Sequence, residues 1–168
     1  MPWRCARACL QFKLSPMTYS SFLTPLGDLT LFAENDSLVA LEWGRVPEGQ
    51  TTPLLQEARR QLLAYFSGSL KEFQLPLNPA GTAFQKSVWR QMQQIPYGQI
   101  ESYGTVARKL STSPRAVGGA CGRNPLPVII PCHRIIAGDG GLGGYSGQDG
   151  TISKAFLLRL EGASLSKL

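Results

Sequence analysis

Apolar and polar positions change rhythm partway along this chain. Residues 18–43 follow the two-residue period of half-buried strands, with β-rich runs at 18–23, 29–33 and 38–43. Pro25-Leu26-Gly27-Asp28 and Glu34-Asn35-Asp36-Ser37 supply turn chemistry between the runs, so a strand meander is predicted. Residues 44–52 read as a polar loop. From 53 to 66 the period becomes helical, with Leu54, Leu55, Ala58, Leu62, Tyr65 and Phe66 on one stripe and Gly68 as the stop. Residues 71–81 contain Pro76 and Pro79 and read as a linker.

Short helices dominate the second half. Thr82 caps a helix through Phe84, Val88, Met92 and Ile95, which Pro96-Tyr97-Gly98 ends. Ser102 caps a second over 103–110. Ser113-Pro114 starts a third, with proline pre-set for the first helical turn. Residues 127–136 read as a buried strand interrupted by Pro131, and 138–150 as a glycine-rich loop. A closing helix spans 153–161, with Gly162 just past its end. There is no internal repeat.

Composition narrows the class. The chain has 168 residues, 43% of them hydrophobic, enough for a real core. No apolar run approaches the roughly 18 residues of a membrane helix, and the apolar stretches near the start are too short for a signal peptide. A soluble intracellular protein is expected, in the cytoplasm beside the nucleoid or in a nucleus. The net charge of +6 is unevenly spread. Residues 1–79 hold seven basic and seven acidic side chains, whereas 80–168 hold ten and four. That asymmetry points to a polyanion facing the second half, although solubility alone would also account for it.

The cysteines are Cys5, Cys9, Cys121 and Cys132. Without a secretion signal, disulfides are not expected. A zinc site is not expected either, because four ligands would be needed and His133 is the one histidine. Cys5 and Cys9 read as unpaired thiols in a poorly defined, dispensable leader, 1–16. Met17 opens the orderly part and is a candidate translation start, which an intact mass of the native protein lacking 1–16 would support.

Two short helices joined by Ser111-Thr112-Ser113, the second basic at its start, match a helix-turn-helix or an ordinary helical pair. The second carries Arg115, Ala116, Gly118, Gly119 and Gly122. Each glycine inside a helix costs about 1 kcal/mol, so an adjacent pair has a reason. One reason is close approach to a DNA groove, the narrow minor groove fitting best; the other is tight helix packing. Arg115 stands where it could enter a base stack, and Arg123 and Lys109 are candidate phosphate contacts.

Ile129-Ile130-Pro131-Cys132-His133-Arg134-Ile135 carries the chemistry. A cysteine in apolar surroundings is usually inert, but this one adjoins a histidine and an arginine, both of which favour the thiolate. In a regular strand Cys132 and His133 would point to opposite faces. Either Pro131 bends the chain or a water bridges the two side chains.

Pro131-Cys132-His133-Arg134-Ile135, preceded by Arg115-Ala116-Val117-Gly118-Gly119 and Gly122-Arg123-Asn124-Pro125, resembles the O6-alkylguanine-DNA alkyltransferase family. The likeness covers residues 82–162 and continues more weakly from Met17 through Ala64-Tyr65-Phe66-Ser67-Gly68. It implies an α+β fold, with a small RNase H-like α/β N-terminal domain (17–79, linker included). A mainly helical, winged-helix-type C-terminal domain (80–168) would follow.

The resemblance implies DNA repair by irreversible, single-turnover transfer of an alkyl group from O6 of guanine to Cys132. No cofactor and no metal are implied. The partner would be double-stranded DNA, bound through the minor groove by a monomer with the damaged base flipped out. His133 would draw the Cys132 proton through a water, and Glu161 would orient His133. Tyr103 would donate to the departing guanine and help rotate the backbone phosphate. Arg115 would be the intercalating finger, and Asn124 would hold the turn that supports Cys132. Tyr145 and Ser146 would line the pocket, with carbonyls near Cys132 and Val128 reading the exocyclic amine. The stretch between Tyr145 and Ser153 is about two residues longer than the family's usual form, which bears on the pocket rim. A lesion sensor without transfer chemistry and a thiol hydrolase are the competing classes. The first has no use for a reactive Cys132-His133, the second none for a basic, glycine-rich helix.

Overall fold

The computed structural model describes residues 17–47, 49–145, 147 and 149–164. The leader with Cys5 and Cys9, and Ser146, lie outside the described residues.

Strands β1 (Thr18–Thr24), β2 (Gly27–Glu34) and β3 (Ser37–Trp43) form the antiparallel meander, in that order. Asn35 and Asp36 both take left-handed backbone (φ 48° and 55°), which short polar side chains tolerate and a tight hairpin requires. Leu29, Leu31 and Ala33 alternate into the core. A register shift at Phe32/Ala33 lets both Leu38 and Leu41 face inward from β3.

Helix α1 (Pro53–Phe66) begins with Pro53 and a Thr52 cap, the Leu55 amide donating to Oγ1 at 3.3 Å. It lays Leu55, Ala58, Leu62, Tyr65 and Phe66 into the core. Leu54 is only half-buried, and Gln61 is buried instead, its amide exchanging hydrogen bonds with the Gln74 backbone at 2.9 and 3.1 Å. Gln61 thus pins part of the expected linker. The rest of it is tied to β3, where the Leu38 amide donates to Pro76 O (2.8 Å) and the Asn78 amide to Leu38 O (2.9 Å).

In the second half, α2 (Ala83–Gln93) starts with a reciprocal capping box between Thr82 and Gln85. Helices α3 (Tyr103–Lys109) and α4 (Pro114–Cys121) follow, capped by Ser102 and Ser113, with Ser111 at φ 51° turning the chain between them. The α2 indole of Trp89 donates to Ala120 O at 2.9 Å and docks α4.

The strand expected over 127–136 does not form. Pro127 and Pro131 remove ladder donors, and Val128 adopts φ 72°, costly for a β-branched residue. What remains is a Pro127–Ile130 bridge, a 3₁₀ turn Cys132–Arg134, and a short β5 (Ile135–Ile136) parallel to β4 (Glu101–Ser102). Helix α5 (Thr151–Leu160) closes the fold, and Gly162 (φ 67°) ends it. One buried apolar cluster runs from Phe22 of β1 through Tyr65 to Ile135 and Leu157, so both halves share a core.

Leu62 has no exposed surface at the centre of α1. Leu62→Ala is expected to lower stability by about 2–5 kcal/mol, read from urea unfolding.

Candidate active site

Pro131 (φ −81°, ψ 67°) bends the chain, and the 3₁₀ turn behind it buries Cys132, His133 and Arg134 together. The turn sends His133 and Arg134 to Glu161, just past the end of α5. His133 Nε2 lies 2.8 Å from Glu161 Oε1. Arg134 grips both oxygens, Nε to Oε2 and Nη2 to Oε1, each at 2.9 Å, and donates Nη1 to Ile95 O at 2.6 Å. The Gly98 amide donates to Oε2 at 3.0 Å, and the Tyr65 hydroxyl to Oε1 at 2.7 Å.

A carboxylate only accepts, so His133 Nε2 carries the ring proton and Nδ1 is left as the basic nitrogen. Nδ1 is buried and has no hydrogen-bond partner among the described residues. Burial pushes the Glu161 carboxyl up, but hydrogen bonds from His133 and Arg134 outweigh it and hold the group well below the usual carboxylate range. Burial pushes His133 down, against the pull of Glu161, with Arg134 and Lys154 adding to the fall. The pair is therefore an ionised Glu161 with a neutral His133, and the standing counter-charge is Arg134.

That alters the expected electrostatics of Cys132. Burial pushes its thiol up. The Asn124 side chain, the charge of Lys154 and backbone amides pull it back down. Neither neighbour in sequence supplies the positive charge, since His133 is neutral and Arg134 is turned to Glu161. The cation is Lys154, which sequence reasoning missed. It is completely buried, donates to Ile135 O, and sits 5.8 Å from the Tyr103 ring centroid. Burial lowers its pKa to about 8, against the pull of Cys132 and Cys121. A signal was present: Lys154, Leu157, Leu158 and Glu161 share one helical face, and all are buried.

Cys132 lines a cleft of about 890 Å³ with Tyr103, Gly118, Cys121, Gly122 and Tyr145. Tyr103 donates to Gly144 O at 3.3 Å, and burial pushes its hydroxyl up to about 12. The Tyr145 hydroxyl is buried without a partner among the described residues. Asn124 braces the turn before Cys132, donating to Ile130 O at 2.8 Å and accepting from the Leu126 amide at 3.0 Å. Val128 is completely buried and does not line the cleft. Two lining or supporting groups, Cys121 and Tyr65, were not singled out from sequence. Tyr65 had looked like one more apolar position on α1.

On α4 and just past its end, Arg115, Gly119, Gly122 and Arg123 are exposed, and Ala116 and Gly118 half-buried. A Cβ on Gly119 would meet nothing within 4 Å, and one on Gly118 only the Tyr103 ring at 3.9 Å. Helix packing does not explain either glycine. Lys109 is ion-paired to Glu101 at 2.6 Å, so its charge is partly compensated.

Two family models match the chain. The 6-O-methylguanine DNA methyltransferase ribonuclease-like domain matches residues 17–79, and the DNA binding domain of the same family matches 83–163. A methylated-DNA–protein-cysteine methyltransferase of Methanosarcina acetivorans is 41% identical over 88% of this chain and 99% of its own length. The chain belongs to the 6-O-methylguanine DNA methyltransferase family. A constitutive relative in Bacillus subtilis is likewise 41% identical, over 85% of this chain and 94% of its own. Among solved structures, the Mycobacterium tuberculosis OGT in complex with DNA superposes with a TM-score of 0.76 at 39% identity, covering 86% of this chain and 92% of that one. The methyltransferase fold is accordingly a ribonuclease-like domain with a small sheet, followed by a helical DNA-binding domain.

The Glu161 cluster predicts a pH signature. Its folded-state pKa is depressed, so its contribution to stability is complete above the unfolded value, roughly 4.3, and is lost as pH falls towards the folded one. Glu161→Gln is expected to cost about 3–5 kcal/mol at pH 7, because Arg134 is left buried and unpaired. The acid slope of stability should also flatten, which denaturant unfolding across pH 3–7 would check.

Proposed function

We propose that this methyltransferase repairs DNA by moving the alkyl group from O6 of a flipped-out guanine onto Cys132, where it stays. One observation carries this. The Cys132 thiol lines a cleft roomy enough for a purine base, next in sequence to a neutral histidine whose free nitrogen is basic and whose other nitrogen is held by an ionised carboxylate. That is the nucleophile, base and orienter arrangement of covalent catalysis.

The thiol proton passes to His133 Nδ1 through a bridging water, and Glu161 stabilises the imidazolium formed. Lys154 stabilises the thiolate. The sulfur attacks the alkyl carbon in line, the carbon–sulfur bond forms, and the carbon–O6 bond breaks. Guanine leaves as an anion unless protonated, and Tyr103 at the cleft is the donor within reach. Atoms balance with no cofactor, and a thioether has no way back to thiol in this site, so each chain acts once. Tyr145 lines the base pocket and the backbone at Cys132 reads the exocyclic amine; Ser146, outside the described residues, is expected to act at the same pocket, while Val128 supports it from behind.

The helix-turn-helix of α3 and α4 enters the minor groove. Gly118 and Gly119, with Ala116 and Gly122, let the backbone approach, which suits Gly119 above all, where an added Cβ would meet nothing within 4 Å. Arg115 fills the gap left by the extruded base, and Arg123 contacts phosphate, as does Lys109 once drawn from Glu101. The chain acts as a monomer on intracellular DNA, one thiol to one lesion.

Cys132→Ala should abolish methyl transfer to the protein while leaving binding to an O6-methylguanine duplex intact, and Cys121→Ala should still transfer. Transfer surviving in Cys132→Ala would refute the assignment. DNA affinity should fall steeply between about 50 and 200 mM salt, since phosphate contacts dominate it; a flat salt dependence in a filter or anisotropy assay would count against the groove-binding role.

A further inference from the structure

The residue gripping Glu161 Oε1 most closely comes from the domain that supplies no reacting group. Tyr65 stands in the last turn of α1, fully buried, with its ring 5.3 to 6.0 Å from those of Phe66, Phe73 and Tyr97. This packing aims the hydroxyl. It donates to Glu161 Oε1 at 2.7 Å and lies 3.4 Å from His133 Nε2, so three groups meet at one point.

We propose that Tyr65 is a positioning residue for alkyl transfer: its hydroxyl shares Glu161 Oε1 with His133 and so limits how strongly that carboxylate holds the Nε2 proton. This rests on His133 being the proton acceptor for Cys132. The competition is direct, because Oε1 takes the Tyr65 hydroxyl, His133 Nε2 and Arg134 Nη2 together. Burial, and then Glu161, push the Tyr65 hydroxyl well above its ordinary value, so it remains a donor throughout the working pH range. Removing that donor concentrates the carboxylate's charge on His133, raising the basicity of Nδ1 and the pH at which it is protonated. The other charged and titratable groups facing this pair are Arg134 from the same turn, Lys154 from α5, Tyr97 from the segment after α2, and Cys132 itself. All of them remain in place when Tyr65 becomes phenylalanine, and only Arg134 and His133 are left to share Oε1. The N-terminal domain thereby sets the proton affinity of the active-site base without touching DNA.

His133 is the chain's only histidine, so imidazole nitrogen resonances of the ¹⁵N-labelled protein have a single source. We expect Tyr65→Phe to raise the His133 titration midpoint by about half a unit to one unit, part of the worth of one charge-assisted hydrogen bond, because Arg134 still shares Oε1. The acid limb of the methyl-transfer rate should move up with it. Site-specific Tyr65→3-fluorotyrosine, a stronger donor, should move both down, and it carries the test if the phenylalanine variant fails to fold. Midpoints and acid limbs unchanged in both proteins would overturn the proposal, leaving Tyr65 as packing. A shifted midpoint with an unmoved acid limb would overturn the role in transfer and would trace the failure to the assignment of His133 as base.

Discussion

A single buried carboxylate organises this molecule. Glu161 stands just past the C-terminal end of α5, where a negative charge meets the unfavourable end of the helix dipole. It is tolerated because donors converge on it from α1, from the turn after α2 and from the 3₁₀ turn at Cys132. Those segments are far apart in sequence and belong to both domains. Only with both domains folded and docked does the carboxylate have its full set of donors, because the Tyr65 hydroxyl comes from the N-terminal domain and the rest from the C-terminal one. A buried charge is costly when any partner is lost, which makes the cluster sensitive to change at each contributing residue.

The same arrangement accounts for a nucleophile that must wait. A thiol used once gains nothing from being reactive towards every electrophile it meets. Burial keeps Cys132 protonated at rest, while Lys154, Asn124 and the neighbouring backbone amides stand ready to favour the thiolate. Burial lowers the Lys154 pKa to about 8, so it stays mostly protonated at neutral pH, and it gains proton affinity from any negative charge appearing on Cys132. The two groups support each other's ionisation. Exclusion of water by a base filling the cleft would strengthen that coupling.

Much of this was legible in the chain. The meander and α1 followed from period and turn chemistry, and the capped starts of α2, α3 and α4 from Thr82, Ser102 and Ser113. Cys132, His133 and Glu161 followed from motif resemblance. The segment 127–136 was misread because its apolar residues suited a strand, while Pro127, Pro131 and the left-handed Val128 forbid one. Local sequence also assigned the thiolate-favouring charge to His133 and Arg134. Only the tertiary structure shows the guanidinium turned away to Glu161 and an ammonium arriving from α5. Tyr65 was hidden for a related reason, since a tyrosine on an apolar stripe looks like packing until its hydroxyl's partner, 96 residues away, is known.

The central claim is that one thiol accepts one alkyl group and then stops. Intact-protein mass, followed over time with a molar excess of duplex carrying a single O6-methylguanine, tests it most directly. A gain of one methyl per chain, mapped to Cys132, with repair ceasing at one lesion per protein, is the predicted result. Repair continuing beyond one equivalent, or lesion binding with no gain in mass, would contradict it.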